Sequence, residues 1–561
     1  MKLDLRPIPW ADSLIAHHSY GSHWPQRLDQ LVSSYLDSGP WKIRFGRRGA
    51  SNRELDPEDM GGEELCEYNA ADCRVTIKAW LALQGDLESE RHVYEHDVCL
   101  AELCAEMHRA GIRVDRKKQR ELSRLLAADA ERYQVQMRKL ARNPDFRSSR
   151  TSDVRRALFE TLAVRKLKFT ETGLASTDKS VIEALRGDDT DVGRFATLLV
   201  KRREALKAKA TYVDYPKEIM FAAPGSSSPA DAARAHYSWG ARERRDERTT
   251  GGGHTVSGRL ASRIQSAPRY NPRNTPDRVR EIYIPAPGCE FVYFDVSQGE
   301  PRVAAYLSGD PERIKTTLGD VHAANAKIMF PEAAAKGWLD GDAKKDPQRG
   351  KPCRDLAKNM GLAIDYFAEA DRVWQYLHQN RFGPDGKPLY GAPRLNTVKA
   401  IIAKIRHVYR VYVRFVYANL ERTKKLGYMR DPILGRIRWL GWSPVITDVA
   451  NYPIQSCLAA VMNLRCLALR RSDRFLAWAK LHPEILTKVG LEANPNRWPR
   501  LPRGVPLVAQ IHDAVIYDTP RSLVPAVKSA ISDIWARPID LPGGKLILPI
   551  DLKTGRSWAA L

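Results

Sequence analysis

The stretch that most constrains this chain runs from Glu290 to Arg302, Glu-Phe-Val-Tyr-Phe-Asp-Val-Ser-Gln-Gly-Glu-Pro-Arg. Residues 291 to 294 are aromatic or β-branched and read as a short buried strand, and the run breaks off at Asp295 with helix-start chemistry directly behind it. Asp295 is therefore expected at the mouth of a sheet. Ser297 followed three residues later by Glu300 is a capping-box pattern, Pro301 is tolerated in a first helical turn, and Val303-Ala-Ala-Tyr-Leu307 supplies an apolar face. Strand, acid, helix is a layout that holds a metal through a carboxylate. An isolated strand-end Asp more often does nothing but end its strand, so the remainder of the chain has to decide.

Composition narrows the partners. The 561 residues suffice for several domains, and 43% hydrophobic with 28% charged content is that of a folded protein. The formal charge of +23 is far from ordinary and calls for a polyanion, nucleic acid first and an anionic membrane surface second. No run of about 18 apolar residues and no basic leader with an apolar stretch and cleavage site is found, which predicts no membrane association and a cytoplasmic location. Eight cysteines form no C-x-x-C pair and lack histidines at zinc spacing, so reduced core thiols are expected.

In chain order, residues 1–90 form a small unit in which Leu65 to Trp80 has helical apolar spacing. Tyr68 and Asp72 then share a face one turn apart, able to serve a metal-bound water or simply to be exposed. From 91 to about 215 the chain reads as long helices, including Gln119 to Arg142 and Arg194 to Val213, the second carrying Lys201-Arg-Arg203, Lys207 and Lys209. That basic density suits a phosphate backbone or a solvated face. Residues 222–253, rich in Gly, Ser, Pro and Arg, read as a flexible surface excursion. The turn-rich Thr255 to Gln265 segment follows, with Arg259 and Arg263 among small residues that allow close approach to a nucleic-acid groove.

Two later stretches carry chemistry. Arg354, Lys358, Leu362 and Tyr366 are each four apart, a helical stripe grading from charged to apolar to aromatic. It fits a ligand with a polyphosphate at one end and a base at the other, and an amphipathic helix with a basic end accounts for it equally well. Pro506 to Tyr517 presents two apolar strands with His512-Asp513 between them, a hairpin with a carboxylate at its tip. Two carboxylates on neighbouring strands, Asp295 and Asp513, can hold a pair of Mg²⁺ ions.

These residues resemble the family A, polymerase-I-like DNA polymerases. Asp295-x-Ser-Gln298-x-Glu300-x-Arg302 looks like motif A, Arg354-x3-Lys358-x7-Tyr366 like motif B, and Gln510-x-His512-Asp513 like motif C, in the family's order. Ser257-Gly-Arg259-Leu-Ala-Ser262 resembles the primer-contacting T-G-R-L-S-S, and Asn451-x3-Gln455 resembles the template- and primer-contacting N-x3-Q. Glu106 to Asp115 and Ser176-Thr-Asp178 resemble thumb landmarks, and Tyr68-x3-Asp72 resembles the third motif of the family's 3′-5′ exonuclease domain. Asp12-Ser-Leu-Ile-Ala-His-His18 is most like phage-encoded members, which implies a host-cell cytoplasm. The chain departs from the family at Leu362, usually Phe or Tyr, at Ala514, usually Glu, and at Tyr366-Phe367, usually Tyr-Gly.

The resemblance implies an α+β right-hand fold: a partial exonuclease-like α/β remnant at 1–90, a thumb at 91–253, palm at 254–345 and 431–561 with an antiparallel sheet, and helical fingers at 346–430. It implies a DNA-directed DNA polymerase acting on primer-template DNA and deoxynucleoside triphosphates with two Mg²⁺ ions on Asp295 and Asp513. Arg354, Lys358, Leu362, Tyr366, Gln298 and Glu300 would meet the nucleotide, with Glu300 excluding a ribose 2′-hydroxyl or only capping its helix. Arg259, Asn451, Gln455 and His512 would meet DNA. The exonuclease's first two motifs would precede the Asp12 region, so proofreading is not expected unless a separate exonuclease chain supplies it; a processivity protein is a further implied partner. Asp56-Pro-Glu58 matches D-x-E by letters only, because Pro57 splits it. An inactive DNA-binding relative and a nuclease working through Asp72 are the alternatives.

Overall fold

A computed structural model describes residues 11–21, 28–36, 61–164, 169–170, 173–186, 190–217, 234–237, 256–262, 264, 278–346, 348–379, 391 and 393–561. Its centre is a four-stranded antiparallel sheet in the order Ile550–Gly555, Cys289–Val296, Ala514–Pro520, Leu507–Ile511. The strand expected over 291 to 294 thus extends across eight residues. It is apolar on both faces because both are covered. Val292, Phe294 and Val296 enter the larger core with Val515 and Tyr517, while Phe291 enters a second core with Val508, Ile516 and Trp558. Phe294 lies 5.1 Å, ring to ring, from Trp535 of the Val524–Trp535 helix, a burial that contributes about 1.5–3 kcal/mol.

The Ile446–Arg470 helix runs through the larger core and is buried on almost every side, as its all-round run of Ala, Leu, Val and Met dictates. On the other side of the sheet, a short antiparallel sheet orders Arg234–Ala235, Ile112–Val114 and Tyr283–Ile284. Arg234 to Tyr237 falls inside the stretch expected to be a flexible excursion, yet Ala235 and Tyr237 are buried, since Arg234 and Ala235 pair with Arg113 and Ile112 and the Tyr237 hydroxyl bonds to that of Tyr283. The rest of 222–253 lies outside the described residues, as do Asp56-Pro-Glu58, Thr255, Arg263 and Gln265.

The two basic helices appear as Arg116–Leu140 and Asp191–Lys207, the latter continuing as a π-helical turn over Ala208–Asp214. Asp115 starts the first by accepting from the Lys117 and Lys118 amides, both at 3.1 Å. A separate core of Met137, Phe146, Leu158, Phe195 and Leu199 holds their far ends. In residues 1–90 the expected α/β unit is helical wherever it is described, built from Ser13–Gly21, Leu28–Tyr35 and the 26-residue Gly62–Leu87 helix. Among the described residues no helix is long and apolar enough to cross a membrane.

A buried ion pair locks the Arg91–Ala110 helix to the C-terminal half of the chain. Arg436 grips Asp97 with both terminal nitrogens, at 2.7 and 2.5 Å. Burial alone would raise the Asp97 carboxyl, but the Arg436 charge and the hydrogen bonds from His96 and Arg436 outweigh it and hold the group well below the usual carboxylate range. The side chains are 11% and 2% exposed, so removing one partner strands the other charge. Asp97→Asn is expected to cost about 3–5 kcal/mol in denaturant unfolding at pH 7. Because the folded pKa is depressed, this stabilisation is in force above the unfolded value of about 3.9 and drains away as pH falls below it, so the gap between wild type and variant should close in acid. A gap that stays constant below pH 4 would contradict the assignment.

Candidate active site at the mouth of the sheet

Antiparallel register brings the two acids together. Asp295 pairs with Ala514, and the Val296 amide donates to the Asp513 carbonyl at 3.0 Å, so Asp513 stands one residue from the position directly across from Asp295. His512 and Asp513 are the two loop residues between Ile511 and Ala514, with His512 exposed at φ 57°. Both acids are half-buried, and burial pushes the Asp513 carboxyl above the ordinary range against the opposing charge of Arg259. On its other side Asp295 faces Asp551, a third carboxylate on the same sheet face that nothing in its local sequence singled out; Lys553 pairs with Asp551 at 2.8 Å.

Behind Asp295 the chain departs from the expected capping box. Gln298 stands before the Gly299–Ser308 helix in the left-handed region at φ 55°, with no side-chain cap. The Ser297 amide donates instead to Pro549 O at 2.8 Å. Glu300 is drawn away from the helix start because both its oxygens are taken: Oε1 accepts from Arg259 Nη2 and Oε2 from the Tyr366 hydroxyl. Gly299 is required here, since a Cβ would lie 2.9 Å from Leu458 and 3.1 Å from Val296.

The Arg354 to Tyr366 stripe lies on the Gly350–Asp365 helix, with Tyr366 as its C-cap. Lys358 is exposed and Leu362 half-buried, whereas Arg354 is only 7% exposed and donates through Nε to Asp320 at 2.8 Å. Burial first, then the Glu300 charge and hydrogen bond, push the Tyr366 hydroxyl far up and keep it a donor; Gln455 also bonds to it. Asn451, on the same helix as Gln455, has a buried Oδ1 with no partner among the described residues. The loop carrying Arg259 is tied to the hairpin through Asn463, which donates to Gly258 O at 3.0 Å and accepts from Gln510 at 2.8 Å.

Most of the expected site residues therefore converge: Asp295, Asp513, Gln298, Glu300, Arg259, Tyr366 and Gln455 are joined by register or hydrogen bonds, and Arg354 joins through Asp320. Tyr68 and Asp72 do not; they belong to the N-terminal helical group, on the Gly62–Leu87 helix. Asp320, Asn463 and Asp551 were missed, because what ties each to the site is distant in sequence: Gln298 and Arg354 for Asp320, Gly258 and Gln510 for Asn463, Asp295 for Asp551. Three of the six non-glycine residues with positive φ among those described, Gln298, His512 and Phe367, border this site, where backbone strain commonly gathers.

The donor set is two hard carboxylates, which suits Mg²⁺ held by one or two carboxylates together with substrate phosphates. Among the described residues no group of three His, Cys, Asp or Glu is placed to hold a metal by itself.

Similarity to known proteins agrees with this layout. Over 98% of its length the chain superposes on 82% of the POL domain of Pol1 from M. smegmatis, solved with DNA primer-template and dNTP, at a TM-score of 0.67 and 18% identity. The fold is that of a DNA polymerase POL domain. The family model for DNA polymerase family A matches residues 116–338, a span holding Asp295 and Glu300. Thermostable DNA polymerase I of Thermus filiformis is 26% identical over 467 residues, 82% of this chain and 47% of that protein. That of Thermus aquaticus is 25% identical over 515 residues, 88% and 51% respectively. The chain is thus similar to DNA polymerase family A over residues 116–338, and spans about half the length of these relatives.

The stripe's placement depends on Gly350. A Cβ there would stand 2.4 Å from the Trp338 carbonyl oxygen and 3.1 Å from that of Ala343, and neither is a movable side-chain tip. Gly350→Ala should cost about 1–3 kcal/mol in thermal or denaturant unfolding. An unchanged unfolding midpoint would mean that this helix start is loosely seated.

Proposed function

We propose that the chain is a template-directed DNA polymerase that extends a primer 3′-hydroxyl with deoxynucleotides and releases pyrophosphate. The observation that supports this most is the register that sets Asp295 beside Asp513 while Tyr366, ending the Arg354 stripe, reaches Glu300 behind Asp295. The palm comprises 254–345 and 431–561, in keeping with a central sheet drawn from both segments. The fingers are 346–430, the thumb 91–253, and 1–90 an exonuclease-like remnant.

The primer 3′-oxygen attacks the α-phosphorus in line, the bond to pyrophosphate breaks, and the hydroxyl proton leaves to solvent. Asp295 and Asp513 would hold two Mg²⁺ ions, which would supply Lewis-acid chemistry at the reacting oxygens and phosphate. Arg354 and Lys358 grip the triphosphate, the first as a planar fork and the second as a point charge. Tyr366 and Leu362 border base and sugar, and Gln298 fixes the turn behind Asp295. Glu300, oriented by Arg259 and Tyr366, closes the space a ribose 2′-hydroxyl would need. Arg259, Asn451, Gln455 and His512 contact primer and template, with the unpartnered Asn451 Oδ1 ready to accept a hydrogen bond.

The test is extension of a labelled primer with Mg²⁺. Asp295→Ala and Asp513→Ala should each slow extension by at least ~10²–10³ while primer-template binding persists. Arg354→Ala or Lys358→Ala should lower kcat/KM for the nucleotide about 10- to 150-fold, and Glu300→Ala should raise ribonucleotide incorporation. Full extension by either Asp variant would sink the metal assignment, and an inert wild-type chain would sink the polymerase reading.

A second expectation concerns proofreading. Tyr68 and Asp72 bring one carboxylate, too little charge to assemble two Mg²⁺ ions that release water reluctantly. The purified polypeptide should leave 3′-labelled single-stranded DNA intact over times at which it extends primers fully. Degradation abolished by Asp72→Ala would reverse this.

A further inference from the structure

Asp320 lies outside every motif that the sequence brought forward, yet four donors converge on it. Oδ1 accepts from the His322 amide at 2.9 Å, the Ala323 amide at 3.2 Å and Gln298 Nε2 at 3.2 Å; Oδ2 accepts from Arg354 Nε at 2.8 Å. The amide bonds cap the Val321–Met329 helix. Gln298 also accepts from the Val321 amide through Oε1 at 2.8 Å, so its side chain is fixed at both ends. Capping needs only one carboxylate oxygen. The second oxygen is committed to Arg354, and this is the contact a plain N-cap does not explain.

A guanidinium is planar, so holding Nε sets the plane and leaves the two terminal nitrogens to be presented as a fork. In Arg354, Nη1 lies 3.6 Å from Asp355 Oδ1, beyond normal hydrogen-bond distance. Arg354 is 7% exposed, so its aim is determined by this contact and not by solvent averaging. Burial would raise the Asp320 carboxyl, but the Arg354 hydrogen bond, the Ala323 amide and the Arg354 charge prevail and keep it below its ordinary value, an anionic acceptor at neutral pH.

We propose that Asp320 is a positioning residue for nucleotide binding: through Arg354 Nε it aims the guanidinium at the triphosphate, and through Gln298 it ties that aim to the turn behind Asp295. This rests on the polymerase reading above. It also makes Asp320 the link between the two halves of the site, the strand-end acid and the phosphate-gripping helix.

Asp320→Asn tests it. Asn keeps the size and a capping oxygen, but its amide nitrogen cannot accept from Arg354 Nε. In primer extension KM for the deoxynucleotide should rise about 10-fold with kcat within about threefold, and primer-template affinity and unfolding midpoint should stay near wild type. In an Arg354→Ala background the same change should add nothing, because Asp320 acts through Arg354. A cap alone would not give that non-additivity. Should Asp320→Asn fail to fold, Asp320→Ser, which keeps a capping hydroxyl too short to reach Arg354, is read the same way. An unchanged or lowered KM, or effects of the two substitutions that multiply, overturns the proposal. A wild-type chain that does not extend primers overturns the polymerase reading instead, before any variant is compared.

Discussion

The candidate site depends first on the pairing register between Cys289–Val296 and Ala514–Pro520. Side chains alternate along a strand, so a slip of one residue would turn Asp295 from the face it shares with Ala514 and Asp551 to the opposite one. Hydrophobicity alone cannot fix this register, because the strand is apolar toward both cores. Shape and the turn do so. Phe294 fits against Trp535, Gly299 leaves the space that Leu458 fills, and the two-residue loop His512-Asp513 sets where the hairpin reverses. The outermost strand, Ile550–Gly555, then completes the frame, and Asp551 is tolerated opposite Asp295 because it is exposed and neutralised by Lys553.

A chain of formal charge +23 brings several cations to a site whose proposed substrate is anionic. Arg259 and Arg354 are each held by a carboxylate, Glu300 and Asp320 respectively. Such pairing weakens the raw attraction for a phosphate but fixes the direction of each donor, and a fixed planar fork recognises phosphate better than a freely swinging one. The two carboxylates therefore set geometry while the overall charge of the chain serves long-range attraction.

The parts of this structure that could be read from the sequence are those governed by local rules. The strand before Asp295, the hairpin around His512-Asp513, the Gly350–Asp365 helix and the two basic helices all announce themselves by periodicity and turn chemistry. What could not be read depends on distant partners. Asp320 is joined to the site only through Gln298 and Arg354, and Asn463 bridges the Gly258 loop and Gln510. The capping box failed for the same reason: its letters were present, but Pro549 took the Ser297 amide and Arg259 with Tyr366 took Glu300. Residues 234–237 were misjudged because a Gly- and Arg-rich context hid a short strand whose partner, Ile112–Val114, lies far upstream.

The left-handed backbone at Phe367, directly after Tyr366, has a physical account. Phe367 adopts φ 58°, the left-handed region where a glycine carries no Cβ penalty and another residue gives up roughly 1–2 kcal/mol. The Phe367 ring, only 4% exposed, lies 6.1 Å from Tyr412 and 5.8 Å from Tyr417, with the Arg406 guanidinium 4.8 Å above it. Burying a phenyl ring contributes about 1.5–3 kcal/mol, enough to offset the backbone strain. The same turn is anchored by Asp365, whose carboxylate pairs with buried Arg313 at 2.9 Å and whose carbonyl accepts from the Tyr412 hydroxyl at 2.5 Å. Tyr366 is thus presented to Glu300 from a turn held by packing.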